Sequence, residues 1–206
     1  MLGELLALFR SRRSIRFFKN DPIAAKHVKM ILEAARWAPS GANAQPWEFI
    51  VIRNSKVRRD LQNTMDSVGK TVREKYKQFP WGATPRDAKL ISQAPVIVGI
   101  CADFNRKELR KYDIMPKEHK QEIVMCSIAA AIQNMMLMAT ALGIGSVWVS
   151  PLFTEEIGQL LRIPATLQLV ALVPLGYPAK HKQGRMQRRP LKTMVHYNKF
   201  NENREP

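Results

Sequence analysis

The 206-residue sequence predicts one domain of the α+β or α/β class with at least four strands. Its length suits a single domain, and 46% hydrophobic with 24% charged residues are ordinary globular values. Stretches with helical spacing of apolar residues alternate with short apolar runs typical of buried strands. No internal repeat divides the chain, so we expect one domain over residues 1–206, with a basic arm at about 180–206.

The first half of the chain predicts two helices, a strand and a third helix. Apolar residues at helical spacing indicate a helix over 2–11 and a second helix that ends at Trp37. The segment 39–46 is bracketed by prolines and is therefore a loop. A strand is expected at 48–52, followed by a charged, solvated helix over 55–77.

The second half alternates strands with helices. In order, we expect a buried strand at 95–101, a charged surface loop with a helical turn at 104–121, a long apolar helix beginning at 123, a strand at 147–149, a short helix at 154–161 and a buried strand at 166–175. The segment 79–85 carries two large aromatics beside turn residues and is expected to be irregular.

The segment between Glu122 and Glu155, which contains the long apolar helix, has no charged residue. It is long enough in principle to span a bilayer. Gln133 near its centre and the helix stop at Gly143 favour a buried core helix instead. In so small a domain, a second subunit could cover such a helix, which is a first indication of a dimer.

The formal charge of +16, from 33 Lys+Arg and 17 Asp+Glu, allows three kinds of partner: nucleic acid, an anionic membrane or small anionic ligands. The sequence has no nucleic-acid reader motif, and 8% aromatic residues is not an enrichment for base stacking. We therefore expect no specific nucleic acid and no membrane. Small anions have candidate residues, described below.

The chain lacks the usual signatures of protein-based catalysis. Its two cysteines have no paired spacing, its four histidines are isolated, and Gly-rich phosphate loops and metalloprotease motifs are missing. We expect no metal site and no disulfide, and any chemistry would belong to a cofactor. The N-terminus does not read as a secretory signal, so a cytoplasmic protein is expected.

Two motifs are candidates for ligand binding. The first, Arg12 to Arg16, alternates guanidinium groups with a hydroxyl, and such donors suit a phosphate dianion, although a solvated basic run is the alternative. The second, Pro39 to Trp47, combines small residues that permit close backbone approach with the polar side chains of Ser40, Asn43 and Gln45. That mixture suits a flat heterocycle, and an ordinary loop is the alternative.

Together these motifs resemble the nitroreductase family of FMN-dependent flavoproteins. The family carries R-R-S-[IV]-R, E-A-A-R-W-A-P-S-G and N-x-Q-P-W, which stand here at 12–16, 33–41 and 43–47. Segments 129–145, 173–178 and 188–191 resemble later landmarks of the family. The resemblance therefore extends over nearly the whole chain.

The resemblance implies an α+β, nitroreductase-like fold: a mainly antiparallel central sheet of four to five strands flanked by helices, in a homodimer with two FMN sites at its interface. It implies that one FMN is held by Arg12, Arg13, Ser14 and Arg16, with Arg188 and Arg189 from the arm. The partner subunit would supply Pro39, Ser40, Gly41, Asn43 and Gln45. Beside the flavin ring it places Val147, Trp148, Val149 and Ser150, where many relatives carry Glu-Gly instead of Val149-Ser150.

The implied activity is hydride transfer from NAD(P)H to nitroaromatic, quinone or similar electron-poor acceptors by a ping-pong mechanism. Arg16 is the expected catalytic residue, because a guanidinium near the flavin pyrimidine would stabilise negative charge there. Phe79, Trp81 and Trp148 are candidate walls of the acceptor slot. Two alternatives remain: a specialised dehalogenase-like or flavin-fragmenting enzyme of the same family, and a basic nucleic-acid-binding protein.

Overall fold

The computed structural model describes residues 2–75, 85–150, 154–179 and 186–200. Its helices and strands are, in order, α1 (Leu2–Ser11), α2 (Ala25–Arg36), β1 (Trp47–Ile52), α3 (Ser55–Lys75), α4 (Pro85–Gln93), β2 (Val96–Asp103), α5 (Lys117–Ala141), β3 (Gly145–Ser146), α6 (Thr154–Leu160) and β4 (Leu167–Gly176). Short 3₁₀ turns lie at Gly41–Asn43, Lys107–Tyr112 and Leu191–Thr193.

The four strands form one sheet in the order β1-β2-β4-β3, and every pairing is antiparallel. β2 lies in the middle, as its continuous apolar sequence predicts, and pairs with β1 from Trp47 opposite Ala102 to Ile52 opposite Ile97. The predicted α+β class with a mainly antiparallel sheet is confirmed.

Helices cover both faces of the sheet, and the alternation of side chains along β2 divides the core into two. Val96, Val98 and Ile100 belong to a cluster that includes buried residues of α2 and α5. Ile97 and Cys101 point to the opposite face, into a cluster that includes residues of α3, α4 and α6. The arrangement is therefore helix, sheet, helix in three layers.

Three local predictions are wrong. The strand predicted at 147–149 is instead β3 at Gly145–Ser146, followed by a single bridge from Val149 to Leu172. The predicted loop at 104–121 already contains the start of α5 at Lys117, because the first turns of this helix are charged and exposed. α4 was not expected, and it begins at Pro85, a residue that suits the first turn of a helix. Most of the segment 79–85 lies outside the described residues.

By length and composition alone, α5 is long and apolar enough to cross a membrane. Eight of its side chains are buried, and those that are apolar lie in the cluster shared with α2 and the sheet, as expected for a core helix. A different side of α5 leaves Met125 and Cys126 exposed. α1 contacts α5 and exposes Leu5, Leu6 and Phe9 nearby in the fold. An apolar surface thus remains uncovered in the single chain.

The segment 12–16 crosses β3 at very close range. The backbone N–H of Ile15 donates to the carbonyl of Ser146 at 2.9 Å, and a Cβ placed on Gly145 would lie 2.8 Å from the Ile15 side chain. No real side chain tolerates that distance, so glycine at 145 permits the contact.

We expect Gly145→Ala to lower the free energy of unfolding by about 1–3 kcal/mol, because the added methyl group overpacks the contact with Ile15. Urea unfolding would measure the change. Gly158→Ala in α6 is the matched control, since a Cβ there meets nothing within 4 Å and alanine favours the helix by up to ~1 kcal/mol. Equal stability of the two variants would contradict the steric role of Gly145.

Candidate functional site

The basic segment Arg12–Arg16 connects α1 to the edge of the sheet. Arg13 turns back, and its Nη1 donates to the carbonyls of Arg10 and Arg12, which satisfies the carboxyl end of α1. Ile15 packs on Gly145, and Ser14 forms a bridge with Ser146. Side chains alternate along an extended segment, so those of Arg12, Ser14 and Arg16 lie on the side opposite Ile15.

Positive charge gathers at this segment without a carboxylate partner. The pKa of Arg12 is lowered first by burial, then by the charges of Arg188 and Arg13, so the arm brings Arg188 near Arg12. Within the described ranges, no ion pair includes Arg12, Arg16 or Arg188. Guanidinium groups held together in this way favour an anion between them, and a phosphate accepts several of their hydrogen bonds.

The arm and β3 carry further polar groups. Arg189 donates from Nη2 to the carbonyl of Thr193 at 3.2 Å, and Arg188 donates from Nη1 to the carbonyl of Gln187 at 3.1 Å. The Ser146 hydroxyl is 1% exposed and has no hydrogen-bond partner. An unpaired buried hydroxyl is costly, but burial also keeps this one out of reach of a ligand in the single chain. The donor set as a whole suits a phosphorylated cofactor.

The loop 39–46 holds an unusual run of backbone conformations. Ala42, Asn43 and Gln45 have φ angles of 58°, 53° and 46°, in the left-handed region that side chains rarely adopt. Hydrogen bonds hold the loop in this shape: the Gln45 N–H donates to Ser40 Oγ at 3.0 Å, and Gln45 Nε2 donates to Asn43 Oδ1 at 3.4 Å. Such strain clusters at ligand sites, and here it leaves Asn43 and Gln45 exposed on a preformed loop.

The loop is anchored on the first half of α5. The Gly41 N–H donates to Ser127 Oγ at 3.2 Å, and Ser127 in turn donates to the carbonyl of Ile123 at 2.7 Å. A Cβ on Gly41 would lie 2.3 Å from Ile123 Cγ2 and 3.5 Å from the Tyr112 hydroxyl. Sequence reasoning missed these three supporting residues. The one available signal in the sequence was Ser127, the only serine of α5.

The two candidate regions contact different parts of α5 and of the chain that follows it. The loop 39–46 contacts the helix at Ser127, whereas the segment 12–16 contacts β3, which follows directly after the helix end at Ala141. The fourteen residues from 127 to 141 span about 21 Å at the helical rise of ~1.5 Å per residue. A single chain therefore keeps its two candidate regions well apart.

The segment 147–150 presents two side chains to its surroundings. Val147 and Val149 are buried in the core cluster with Leu172, so their side chains are not available to a ligand. Trp148 is 36% exposed and Ser150 is exposed as well. The other two aromatic candidates, Phe79 and Trp81, lie outside the described residues.

A rigid aromatic residue stands just before the loop 39–46. The indole N–H of Trp37 donates to Glu33 Oε1 at 2.8 Å, and the Arg36 guanidinium lies 5.1 Å from the Trp37 ring, which is 73% exposed. Hydrogen bonds from Arg36 and Trp37 lower the pKa of Glu33 to about 2. This trio borders a cleft of about 500 Å³ through Glu33 and Arg36, with Asn43 and Gln45 on its rim.

Comparison with known proteins shows what this chain is similar to. The family model described as "Nitroreductase family" matches residues 9–177. A protein of Archaeoglobus fulgidus named as a putative NADH dehydrogenase/NAD(P)H nitroreductase is 32% identical over 185 residues, which cover 88% of this chain and 89% of the relative. A 5,6-dimethylbenzimidazole synthase of Rhodospirillum rubrum is 28% identical, with 84% and 81% covered.

The fold is also shared with solved structures. A crystal structure of an oxidised iodotyrosine deiodinase bound to FMN and 3-iodo-L-tyrosine superposes with a TM-score of 0.72 at 22% identity. The superposition covers 95% of this chain and 100% of the deiodinase chain.

Proposed function

The chain belongs to the nitroreductase family of FMN-dependent, NAD(P)H-linked oxidoreductases, and we propose that it reduces nitroaromatic, quinone or similar electron-poor acceptors. FMN bound here would supply the two-electron redox chemistry that links NAD(P)H to the acceptor. The observation that carries the assignment is the group of guanidinium side chains formed by Arg12, Arg13 and Arg188, in which Arg12 and Arg188 have no carboxylate partner in the described residues.

We assign different tasks to the residues of this cluster. Arg12, Ser14, Arg188 and Arg189 would hold the phosphate, whereas Arg13 contributes mainly by fixing the end of α1. Arg16 would face the flavin pyrimidine and support negative charge there, which makes it the proposed catalytic residue. Trp148 and Ser150 would border the flavin ring with their side chains, and Val147 and Val149 with their backbone only.

The site is proposed to be shared between two subunits. The loop with Pro39, Ser40, Gly41, Asn43 and Gln45 lies about 21 Å along α5 from β3 in one chain, too far to complete the same site. A two-fold axis that crosses α5 between Ser127 and Ala141 would bring the loop of one subunit to the basic segment of the other. The exposed Met125 on α5 and Phe9 on α1 would be covered by the same contact.

We further propose one FMN-binding domain over residues 1–206, with the basic arm at about 180–206 serving the cofactor phosphate. A cytoplasmic location is proposed because NAD(P)H, the electron donor, is available there and because both cysteines of the chain are free thiols.

A specialised reaction of the same family is the second candidate. It is favoured by the relatives named as a 5,6-dimethylbenzimidazole synthase and an iodotyrosine deiodinase. Turnover of the reduced enzyme against nitro compounds, quinones, free flavin and halogenated phenols would separate the two candidates. Rapid reduction of nitro compounds or quinones supports the first, and selective dehalogenation or consumption of flavin supports the second.

Protein purified at moderate salt is expected to carry one FMN per chain, and Arg12→Gln and Arg188→Gln should each weaken FMN binding about tenfold or more, since each removes a charge-assisted hydrogen bond. Fluorescence titration of FMN into apoprotein measures the dissociation constants. Lys26→Gln, an exposed charge on α2, is the control and should bind FMN normally. A protein that does not bind FMN would refute the proposed function.

Arg16→Ala should slow flavin reduction by NAD(P)H about a hundredfold at saturating FMN, because it removes a preorganised positive group at the reacting cofactor. Arg16→Lys should recover part of the rate by restoring the charge. Stopped-flow absorbance of the flavin measures both. An unchanged rate in Arg16→Ala would remove this residue from the catalytic role.

Met125→Glu should convert the protein from a dimer to a monomer and lower its FMN content, because it places a charge in the proposed subunit contact. Met125 is 40% exposed in the single chain, so the subunit should still fold after the substitution. Met30→Glu on α2, at a site 45% exposed, is the matched control and should stay dimeric. Sedimentation would report the mass, and a monomeric wild-type protein with full FMN content would contradict the shared site.

A further inference from the structure

A second basic cavity lies at the end of the sheet where β1 finishes and β2 begins. It has a volume of about 350 Å³, and its polar lining residues are Asn20, Arg53, Arg58, Ser92 and Gln93. None of these residues belongs to the site proposed above. The cavity is at the small end of the range for small-molecule pockets, and larger than an isolated phosphate ion needs.

Backbone contacts fix both arginines at the cavity. Arg53 donates from Nη1 to the carbonyl of Ile23 at 2.9 Å, and Arg58 donates from Nη1 to the carbonyl of Ala94, just beyond the end of α4. Each guanidinium has five N–H donors, so most remain for another acceptor. The Nε of Arg58 is buried and has no hydrogen-bond partner.

No carboxylate in the described part of the chain compensates these charges. The nearest acid along the helix, Asp60, is paired with Lys56 at 3.1 Å. Burial and the neighbouring charge of Arg59 lower the pKa of Arg58, which shows that its charged form is held at some cost. The amino end of α3 is not itself the anion site, since Asn54 Oδ1 already accepts from the Lys56 and Val57 N–H groups.

We propose that this cavity binds a phosphorylated small molecule, with the phosphoryl group between Arg53 and Arg58. Planar guanidinium groups match phosphate oxygens in pairs, and two of them neutralise its charge. Asn20, Ser92 and Gln93 supply amide and hydroxyl groups of the kind that bind sugar hydroxyls. The ligand is either a free sugar phosphate or the phosphorylated ribose of NADP(H), and both present the same chemistry to the two arginines.

Isothermal titration calorimetry on the protein saturated with FMN tests the proposal, because added FMN keeps the flavin phosphate site filled. The probes are ribose 5-phosphate, NADP⁺ and NAD⁺. We expect saturable binding of one ribose 5-phosphate per chain, weakened at least tenfold by Arg53→Gln. Arg59→Gln removes the same charge from an exposed position on α3, outside the cavity lining, and should change the affinity less than twofold.

Each outcome decides the matter. Binding of NADP⁺ but not ribose 5-phosphate or NAD⁺, abolished by Arg53→Gln, assigns the cavity to the nucleotide. Binding of ribose 5-phosphate assigns it to a free sugar phosphate. The proposal is overturned if neither ribose 5-phosphate nor NADP⁺ binds saturably. It is also overturned if Arg53→Gln and Arg59→Gln lower the affinity equally. Arg58→Lys is a second variant that keeps a cation at position 58, and it should reduce affinity without the loss of folding that Arg58→Gln risks.

Discussion

The length of α5 is the constraint on which the arrangement of this protein depends. The helix holds the strained loop within its first half, through Gly41 and Ser127, and its carboxyl end leads into β3, where Gly145 admits the segment 12–16. Both contacts are so close that a single methyl group on either glycine would disturb them. The helix therefore acts as a spacer of fixed length. Within one chain, the two regions can neither approach each other nor shift along the helix.

Burial, more than total charge, distinguishes Arg12 and Arg58 from the other cations of the chain. With 33 basic and 17 acidic residues, about half of the cations of this chain have no acid to pair with, so an unpaired lysine or arginine is unremarkable at the surface. Exposed examples such as Lys56 and Arg36 do find partners, in Asp60 and Glu33. Arg12 and Arg58 are different, because both are partly desolvated and both lie beside another arginine. A bound anion at either place would stabilise the folded protein in proportion to its occupancy.

Much of the fold could be predicted from the sequence because hydrophobic periodicity is a local signal. The apolar run at 95–101 and the helix stop at Gly143 led to β2 and to the end of α5 within about two residues. The short pairing of Gly145 and Ser146 could not be predicted, since a ladder of two residues depends on where β4 lies rather than on its own sequence. α4 was missed because its leading proline resembled a loop.

The candidate site was predictable only in part. Motifs and a family resemblance point to residues 12–16 and 39–47, and the experiments described above test the role proposed for them. The left-handed conformations of Ala42 and Gln45 could not be predicted, because these residue types rarely adopt them, and a single asparagine at 43 is only a weak signal. The support of Gly41 by Tyr112, Ile123 and Ser127 is likewise a tertiary contact across about eighty residues, which no local pattern encodes.

The strand order also determines how the chain must be made. β2 pairs with β1, which precedes it by some forty residues, and with β4, which follows it by more than sixty. During synthesis α5 leaves the ribosome before β4 exists, so its long uncharged surface has only half a sheet to pack against. Non-local pairings of this kind fold slowly and expose apolar surface in the meantime. The newly made chain therefore passes through an aggregation-prone stage that ends only when β4 completes the sheet.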